Sequence, residues 1–367
     1  MRRSALRVGG TLIAPVVVVA AVAALAGAIT AIAGYDPRAA LVALWRGSLG
    51  TEYAVFSATL VRATPLILTG LAVTLAFTAG IMNIGAEGQL LAGATAATAV
   101  GLVTGQSASH WLTLSLELLF GSVAGAAWAF IPAWWRRQFG VLEVISTIMM
   151  NFVALYLVGY LVRGPLQEPL RIYPQSEALP AAARLPALTS GMRLHWGFPI
   201  ACVCALGLWW SLRTTAAGFR VRVLGSNPDA AHSAALIDVR KTAMRAFLLS
   251  GALAGLAGAV EVTGVTYSLY ENLSPGYGYT AIAVALVGAL NPVLTALSGI
   301  LFGALEAGAA AMQRDAGVPS VLASVVEASI ILLLIALREL RVPGFALRRL
   351  RPLRAQASDN APMPGRP

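Results

Sequence analysis

A glycine-flanked cluster of polar side chains interrupts the apolar part of the chain at residues 80–89. Its polar members are Asn83, Glu87 and Gln89. Glycine permits unwound backbone, and irregular backbone at membrane depth is tolerated where it is buried in protein or lines a cavity. A carboxylate near lipid is costly unless it is paired or hydrated. The pattern therefore indicates a break at which a polar solute can be bound, with a plain turn between two helices as the alternative.

Two further polar side chains share one face of a helix predicted over residues 141–162. Thr147 and Asn151 lie one helical turn apart, and residues at this spacing are neighbours on a helix surface. Amides both donate and accept hydrogen bonds, and a carboxylate accepts them from hydroxyls. With the 80–89 cluster, this pair could line a path for a neutral solute rich in hydroxyls. Two structural interpretations stay open: polar pairing between helices, and a Glu87 carboxylate that pins a broken helix by accepting from freed backbone N–H groups.

A basic segment, residues 213–241, could couple the chain to a separate motor. Asn227 is a favoured N-cap, Pro228 is a favoured first helical residue, and Asp229 suits the positive end of a helix dipole. The spacing predicts a short helix over 228–237 that lies outside the membrane, and the alternative is a solvated loop helix. The predicted coupling residues are Gly218, Arg220, Arg222, Gly225, Asn227, Pro228 and Asp229.

No enzymatic motif accompanies these polar groups in the sequence. A phosphate-binding loop of the Walker type needs glycine before Lys-Ser or Lys-Thr, whereas Lys241, the only lysine, follows Arg240. The sequence has neither a His-Glu-x-x-His pair nor a Gly-x-Ser-x-Gly elbow, and Cys202 and Cys204 lack the spacing of a zinc site. We therefore expect a transport subunit without a cofactor and without its own ATPase.

Carboxylates inside apolar runs leave a second transport mechanism open. They are Glu117, Glu143, Glu261, Glu306 and Glu327. Because ionisable residues in membrane segments can form proton relays, a proton-coupled secondary transporter is the alternative to a transporter driven by ATP. The basic segment with its capped helix favours the ATP-driven interpretation.

The elements that must hold these residues are transmembrane helices. The 367 residues are 58% hydrophobic and 11% charged, with a mean hydropathy of +0.75, whereas a soluble domain is about one quarter charged. The stretch 279–312 is too long for one helix and predicts two short helices, broken near Asn291-Pro292, because proline opens helices but disrupts their interiors. Ten spans are then predicted, over about 11–34, 59–79, 88–104, 111–133, 141–162, 196–212, 242–264, the two parts of 279–312, and 319–337.

The distribution of positive charge predicts the orientation of these ten spans. Cytoplasmic segments of membrane proteins carry an excess of Lys and Arg. With the N-terminus in the cytoplasm, 18 of the 26 cationic residues fall in cytoplasmic segments, including six between 213 and 245 and seven from 338 onward. We therefore predict an all-α polytopic membrane protein with both termini in the cytoplasm.

One transmembrane domain is predicted over residues 1–341. Its first run, 11–34, is interpreted as a retained helix rather than a cleaved signal peptide, because it is longer than the usual apolar region of such peptides. The domain carries a proline-rich external loop, 163–195, and the cytoplasmic coupling loop 213–241. The remainder, 342–367, is rich in arginine and proline and is predicted to be a disordered basic tail in the cytoplasm.

Several runs of the sequence resemble the permease subunits of bacterial nucleoside and simple-sugar ABC importers, within the superfamily of branched-chain amino acid and ribose permeases. The most specific run is Asn-Ile-Gly-Ala-Glu-Gly-Gln, residues 83–89. It is more similar to the nucleoside branch than to the ribose branch. The other matching runs are 70–77, 143–151, 225–231 and 250–258, in the order expected for the family.

This resemblance implies a function and a set of partners. The chain would move a nucleoside or simple sugar into the cytoplasm by alternating access, in the bacterial inner membrane. An ATPase subunit with two nucleotide-binding domains would dock on its cytoplasmic loops. A second, shorter permease would complete the membrane unit, and a lipoprotein or periplasmic binding protein would deliver the solute.

Overall fold

The computed structural model describes residues 24–106, 108–227 and 238–339. Within these residues the regular elements are helices, and β-pairing is limited to two isolated bridges. Residues 24–32 are helical and precede eleven numbered helices. These are α1 Pro37–Ser48, α2 Glu52–Thr78, α3 Ala86–Thr104, α4 His110–Phe139, α5 Glu143–Val162, α6 Gly197–Thr214, α7 Ala216–Ser226, α8 Val239–Thr266, α9 Tyr277–Val287, α10 Pro292–Asp315 and α11 Ser320–Glu339. Helices α2 and α8 each include one π-helical turn, Val55–Thr59 and Val262–Thr266.

Five of the described helices are long and apolar enough to cross a membrane. They are α2, α4, α5, α8 and α10, and the pair α6 and α7 makes a sixth if it is counted as one span bent by 78°. The protein is therefore a multi-pass membrane protein, as the composition predicts. Helix α9 has 11 residues, which rise about 17 Å and fall short of a bilayer core of about 30 Å.

The predicted break at Asn291-Pro292 is confirmed. Helix α9 ends at Val287 and α10 begins at Pro292. The Asn291 side chain accepts a hydrogen bond from the Val293 N–H at 3.1 Å and caps α10. Proline is suited to the position after the cap because its missing N–H would have no intrahelical partner there. The two helices are unequal, however, since α10 has 24 residues.

Glycines bring α3, α4 and α8 into close contact at the centre of the bundle. A Cβ added at Gly255 of α8 would overlap the carbonyl oxygen of Gly121 on α4, and one added at Gly258 would overlap the carbonyl oxygen of Leu90 on α3. Small residues allow this approach, which van der Waals packing stabilises in lipid. Since α3 carries Glu87 and Gln89 and α8 carries Glu261, this packing fixes the relative position of these three residues.

The segment 163–195 is irregular apart from one 3-10 turn, Ala181–Ala183, and lies across the end of α8. The Ser176 N–H donates to the Leu269 carbonyl at 2.7 Å, and the Leu185 N–H donates to the Thr263 carbonyl at 2.9 Å. We call this side of the bundle the cap end. The opposite side, where α6 meets α7, is called the α7 end.

Within the cap, the carboxylate of Glu168 organises a loop. It accepts hydrogen bonds from the Gln175 side-chain amide at 2.8 Å and from the Tyr173 N–H at 2.9 Å. Both bonds favour the ionised form and lower the pKa of Glu168, with the Gln175 bond as the larger cause.

The basic segment contains a helix that the sequence analysis did not predict. Helix α7 is capped by Thr215, whose hydroxyl oxygen accepts from the Gly218 N–H at 3.0 Å. Asn227 follows the last residue of α7 with extended backbone, φ −159° and ψ 97°, and is the C-cap of that helix. The helix predicted over 228–237, with Pro228 and Asp229, lies outside the described residues.

Candidate functional site

The glycine-flanked break is a non-helical segment between α2 and α3. Helix α2 ends at Thr78, the chain turns at Gly80 with φ +73°, and α3 begins at Ala86. The backbone of Gly80 lies against Gly225 of α7, so close that a Cβ on Gly80 would be 3.2 Å from the Gly225 Cα. The predicted irregular backbone is therefore present, and its turn at Gly80 contacts Gly225 in the basic segment.

A buried amide pair holds the break against α8. The Asn83 side-chain N–H₂ donates to the Gln89 Oε1 and to the Ser250 Oγ, each at 2.9 Å. The Gln89 amide donates back to the Asn83 Oδ1 at 3.1 Å. The Ser250 hydroxyl then donates to the Ala72 carbonyl of α2 at 2.7 Å. One chain of hydrogen bonds thus ties α2, α3 and α8 together.

Asn151 of α5 reaches two backbone groups of the break. Its Oδ1 accepts from the Gly88 N–H at 2.8 Å, and its amide donates to the Ile84 carbonyl at 2.9 Å. The Gly88 N–H belongs to the first turn of α3, where backbone N–H groups have no intrahelical partner, and the Ile84 carbonyl belongs to the break itself. The same amide is 3.2 Å from the Tyr279 hydroxyl of α9.

Thr147 lies one turn before Asn151 and faces the same break. A Cβ on Gly85 would be 3.0 Å from the Thr147 Cβ, so this glycine leaves room for the threonine. The Thr147 hydroxyl donates to the Glu143 carbonyl of its own helix at 2.6 Å. Thr147 and Asn151 therefore sit together on the face of α5 that meets the break.

Glu87 joins the first turn of α3 to the first turn of α9. Its Oε2 accepts from the Gly278 N–H at 2.7 Å. Glycine is required at 278, because a Cβ there would overlap the backbone of Glu87. A carboxylate is stabilised at both of these helix N-termini by unpaired N–H groups and the helix dipole.

These five residues form one buried cluster, which we call the polar layer. Its members are Asn83, Glu87, Gln89, Thr147 and Asn151, each at most 7% exposed. Ser250 belongs to the same network but was not predicted from the sequence. It lies eleven residues beyond the first residue of α8, Val239, which corresponds to about 17 Å along the helix. The layer is therefore inside the bundle rather than at its surface.

A cavity of about 680 Å³ lies on the cap side of the polar layer. Its polar lining includes Arg62, Glu261, Tyr270, Tyr277, Glu306 and Gln313. Tyr277 directly precedes Gly278, the residue bound by Glu87, so the floor of the cavity adjoins the polar layer. The sequence analysis identified Glu261 and Glu306 separately, but only the folded bundle brings α2, α8 and α10 around one space.

Glu261 is the most enclosed charge of this cavity. Its side chain is 4% exposed, and its Oε2 has no hydrogen-bond partner among the described residues. The positive charges of Arg62 and Arg193 act on it. Glu261 therefore borders the cavity from a nearly enclosed position.

Of the other carboxylates in the apolar runs, Glu306 also lines the cavity, and the remaining three lie away from it or outside the described residues. Glu117 of α4 is fully buried beside Gly101, and neither of its oxygens has a partner within the described part of the chain. Glu143 pairs with Arg136 at 3.3 Å. The side chain of Glu327 lies outside the described residues.

The α7 end carries the predicted coupling residues that are described. Arg220 and Arg222 have exposed side chains on α7. Gly218 is buried where α7 turns away from α6, and a Cβ on it would overlap the Ser211 carbonyl oxygen. Likewise, a Cβ on Gly225 would overlap the Thr78 carbonyl oxygen of α2. Both glycines therefore hold α7 against the membrane helices.

A second cavity opens at the same end and was missed in the sequence. It has a volume of about 280 Å³ and is bordered by Arg136, Arg137 and Arg240. These arginines come from the end of α4 and the start of α8. With α7, they give this side of the bundle a strongly cationic surface.

The chain is thus a multi-pass helical bundle with a broken helix, a buried polar layer and a charged cavity on its cap side. Residues 55–337 match the family described as "Branched-chain amino acid transport system / permease component", and the chain belongs to that family. No solved structure matches the chain.

Three relatives match over most of their length. The guanosine ABC transporter permease protein NupP of Bacillus subtilis is 38% identical over 325 residues, which cover 88% of this chain and 92% of NupP. The glucose ABC transporter permease protein TsgB13 of Haloferax volcanii is 38% identical over 331 residues, covering 88% and 86%. The nucleoside ABC transporter permease protein NupB of Lactococcus lactis is 32% identical over 317 residues, covering 84% and 86%.

Proposed function

We propose that this chain is the permease subunit of an ABC importer that moves a nucleoside or a simple sugar into the cytoplasm. The observation that carries the proposal is the match of residues 55–337 to a family of transport-system permease components. It is supported by relatives named as ABC transporter permeases for guanosine, glucose and nucleosides. Transport proceeds by alternating access and is driven by a separate ATPase subunit.

In this proposal the protein crosses the bacterial inner membrane ten times, with both termini in the cytoplasm. Four spans are added to the five long helices and the bent pair: the N-terminal run 11–34, the helices α3 and α9, and the final helix α11. The cap end is then external and the α7 end is cytoplasmic. The cationic surface of the α7 end supports this orientation, since cytoplasmic segments are enriched in Arg and Lys.

The solute path runs from the cap-end cavity through the polar layer. While the layer is closed, its polar side chains form hydrogen bonds with other protein groups. These side chains are the amides of Asn83, Gln89 and Asn151 and the carboxylate of Glu87. When the helices around the break separate, the same groups can bond to the hydroxyls of a neutral solute, and Thr147 faces the opening. Because protein groups compete for every bond, the solute is held weakly and is released readily.

The α7 end receives the motor. Helix α7 and the residues up to 237 dock on an ATPase subunit with two nucleotide-binding domains, where Arg220 and Arg222 meet acidic residues. Gly225 transmits the movement, because it contacts the break directly at Thr78 and Gly80. A second, shorter permease completes the transmembrane unit, and a solute-binding lipoprotein or periplasmic protein delivers the solute.

The experiment that tests this proposal asks whether ATP or the proton gradient is the energy source for transport. Glu117 and Glu261 are buried and lack some of their possible hydrogen bonds within the described residues, which is the observation that would favour proton coupling. Uptake of labelled nucleosides and glucose is measured in a strain that lacks its own carriers and expresses this importer. We expect uptake to continue when a protonophore collapses the gradient and ATP is maintained. Loss of uptake with the gradient, at constant ATP, would support the proton-coupled alternative instead.

A further inference from the structure

The cap-end cavity has the features of a binding site rather than of a gap between helices. Glu261 lines this space, its side chain is 4% exposed, and one of its carboxylate oxygens has no hydrogen-bond partner among the described residues. A buried polar atom without a partner is uncommon in proteins, because it loses hydration without compensation. The cavity volume, about 680 Å³, lies within the range of small-molecule sites.

The charged lining of the cavity has both signs, since Arg62 and the carboxylates of Glu261 and Glu306 all border it. Arg62 lines the same cavity, and the charges of Arg62 and Arg193 both act on Glu261. A neutral ligand with hydroxyl groups can donate to the carboxylate and accept from Arg62, so both kinds of group are satisfied.

The aromatic lining indicates a ligand with a flat ring as well as hydroxyls. Tyr270 and Tyr277 border the cavity and each presents a phenol ring with a polar tip. Aromatic side chains pack against flat rings with favourable geometry. A nucleoside combines such a ring with a sugar, whereas a monosaccharide has only the sugar.

We propose that the cap-end cavity binds a ribonucleoside, with the adjacent 2′ and 3′ hydroxyls of the ribose donating to the Glu261 carboxylate. Arg62 donates to the sugar oxygens, and Tyr270 and Tyr277 pack against the base. This inference rests on the proposed function and deepens it. The cavity is the first site that the solute meets, and the polar layer lies directly beyond its floor.

The first test compares two nucleosides in two matched variants. Glu261→Gln keeps the size of the side chain but removes the charged acceptor. Glu117→Gln changes a second buried carboxylate that does not line the cavity, and it controls for insertion and stability. Import of guanosine and of 2′-deoxyguanosine, which lacks the adjacent hydroxyl pair, is measured with the same ATPase and binding protein.

In this test we expect Glu261→Gln to slow guanosine import about tenfold or more, as loss of a hydrogen bond to a charged group predicts, and to change 2′-deoxyguanosine import little. Glu117→Gln should import guanosine and 2′-deoxyguanosine at the parental rates. If the ratio of the guanosine rate to the 2′-deoxyguanosine rate is the same in Glu261→Gln as in the parent, the inference is overturned. Import of glucose but of no nucleoside by the parent also overturns it and leaves the proposed function standing. If the parent imports neither nucleosides nor glucose although its ATPase hydrolyses ATP, the proposed function itself is contradicted.

A second measurement does not depend on a variant of Glu261. Ala309 of α10 lines the cavity and is half-buried. It is replaced by cysteine in a chain whose native cysteines, Cys202 and Cys204, are changed to alanine. We expect a thiol reagent added from the outside to label Ala309→Cys, and guanosine to slow the labelling more than 2′-deoxyguanosine does. Equal rates with and without guanosine would place the ligand elsewhere.

Discussion

Asn151 gives the sharpest prediction about the polar layer. Replacement of Asn151 by alanine leaves the Gly88 N–H and the Ile84 carbonyl without the partners that they have at 2.8 and 2.9 Å. Each unsatisfied buried group costs about 1–3 kcal/mol, so opening of the break should become easier by about 2 kcal/mol or more. That corresponds to a population of the open form about 30-fold higher, since about 1.4 kcal/mol is a factor of ten.

Hydrogen exchange of the backbone amides between residues 80 and 90, measured on the purified permease, tests this value. The matched control is Thr147→Val, which keeps the shape of the side chain and removes a hydroxyl that donates only within α5. We expect faster exchange in Asn151→Ala and parental exchange in Thr147→Val. Parental exchange in Asn151→Ala, together with lost transport, would refute the pinning role and assign Asn151 to solute contact alone.

Three further predictions follow from the bundle. Reporter fusions within the cap, residues 163–195, and after α11 should give opposite signals, and signals from the same side would contradict the ten-span topology. Reversing the charge of Arg220 and Arg222 should leave membrane insertion intact and reduce the solute-stimulated ATPase rate, whereas an unchanged rate would exclude docking at α7. Gly258→Ala should destabilise the purified protein by about 1–3 kcal/mol, as overpacking does, because its Cβ overlaps the Leu90 carbonyl oxygen. Gly207→Ala on α6, with open space around it, should leave thermal stability unchanged or raise it.

The sequence predicts local features of the fold well. The break at Asn291-Pro292 follows from the conformational limits of proline and from the capping capacity of asparagine. Thr147 and Asn151 meet the break because side chains one helical turn apart share a face. In both cases the residues that determine the feature lie within a few positions of one another in the chain.

The sequence predicts poorly what depends on distant helices. Nothing near Ser250 indicates that its hydroxyl bonds to both Asn83 and Ala72. The cavity forms only when Arg62, Glu261 and Glu306 converge from three helices. Helix α7 was missed because Gly218 and Gly225 lower helix propensity, while their close contacts with neighbouring backbone can be seen only in the folded bundle.

The measurement that tests the central claim most directly is import into proteoliposomes. The permease is reconstituted with its ATPase and its second permease subunit, and the binding protein with labelled guanosine or glucose is supplied outside. The account predicts accumulation of solute inside the vesicles that requires enclosed ATP, stops with vanadate and does not depend on a pH gradient. Accumulation driven by a pH gradient without ATP, or no transport of any nucleoside or sugar despite solute-stimulated ATP hydrolysis, would contradict it.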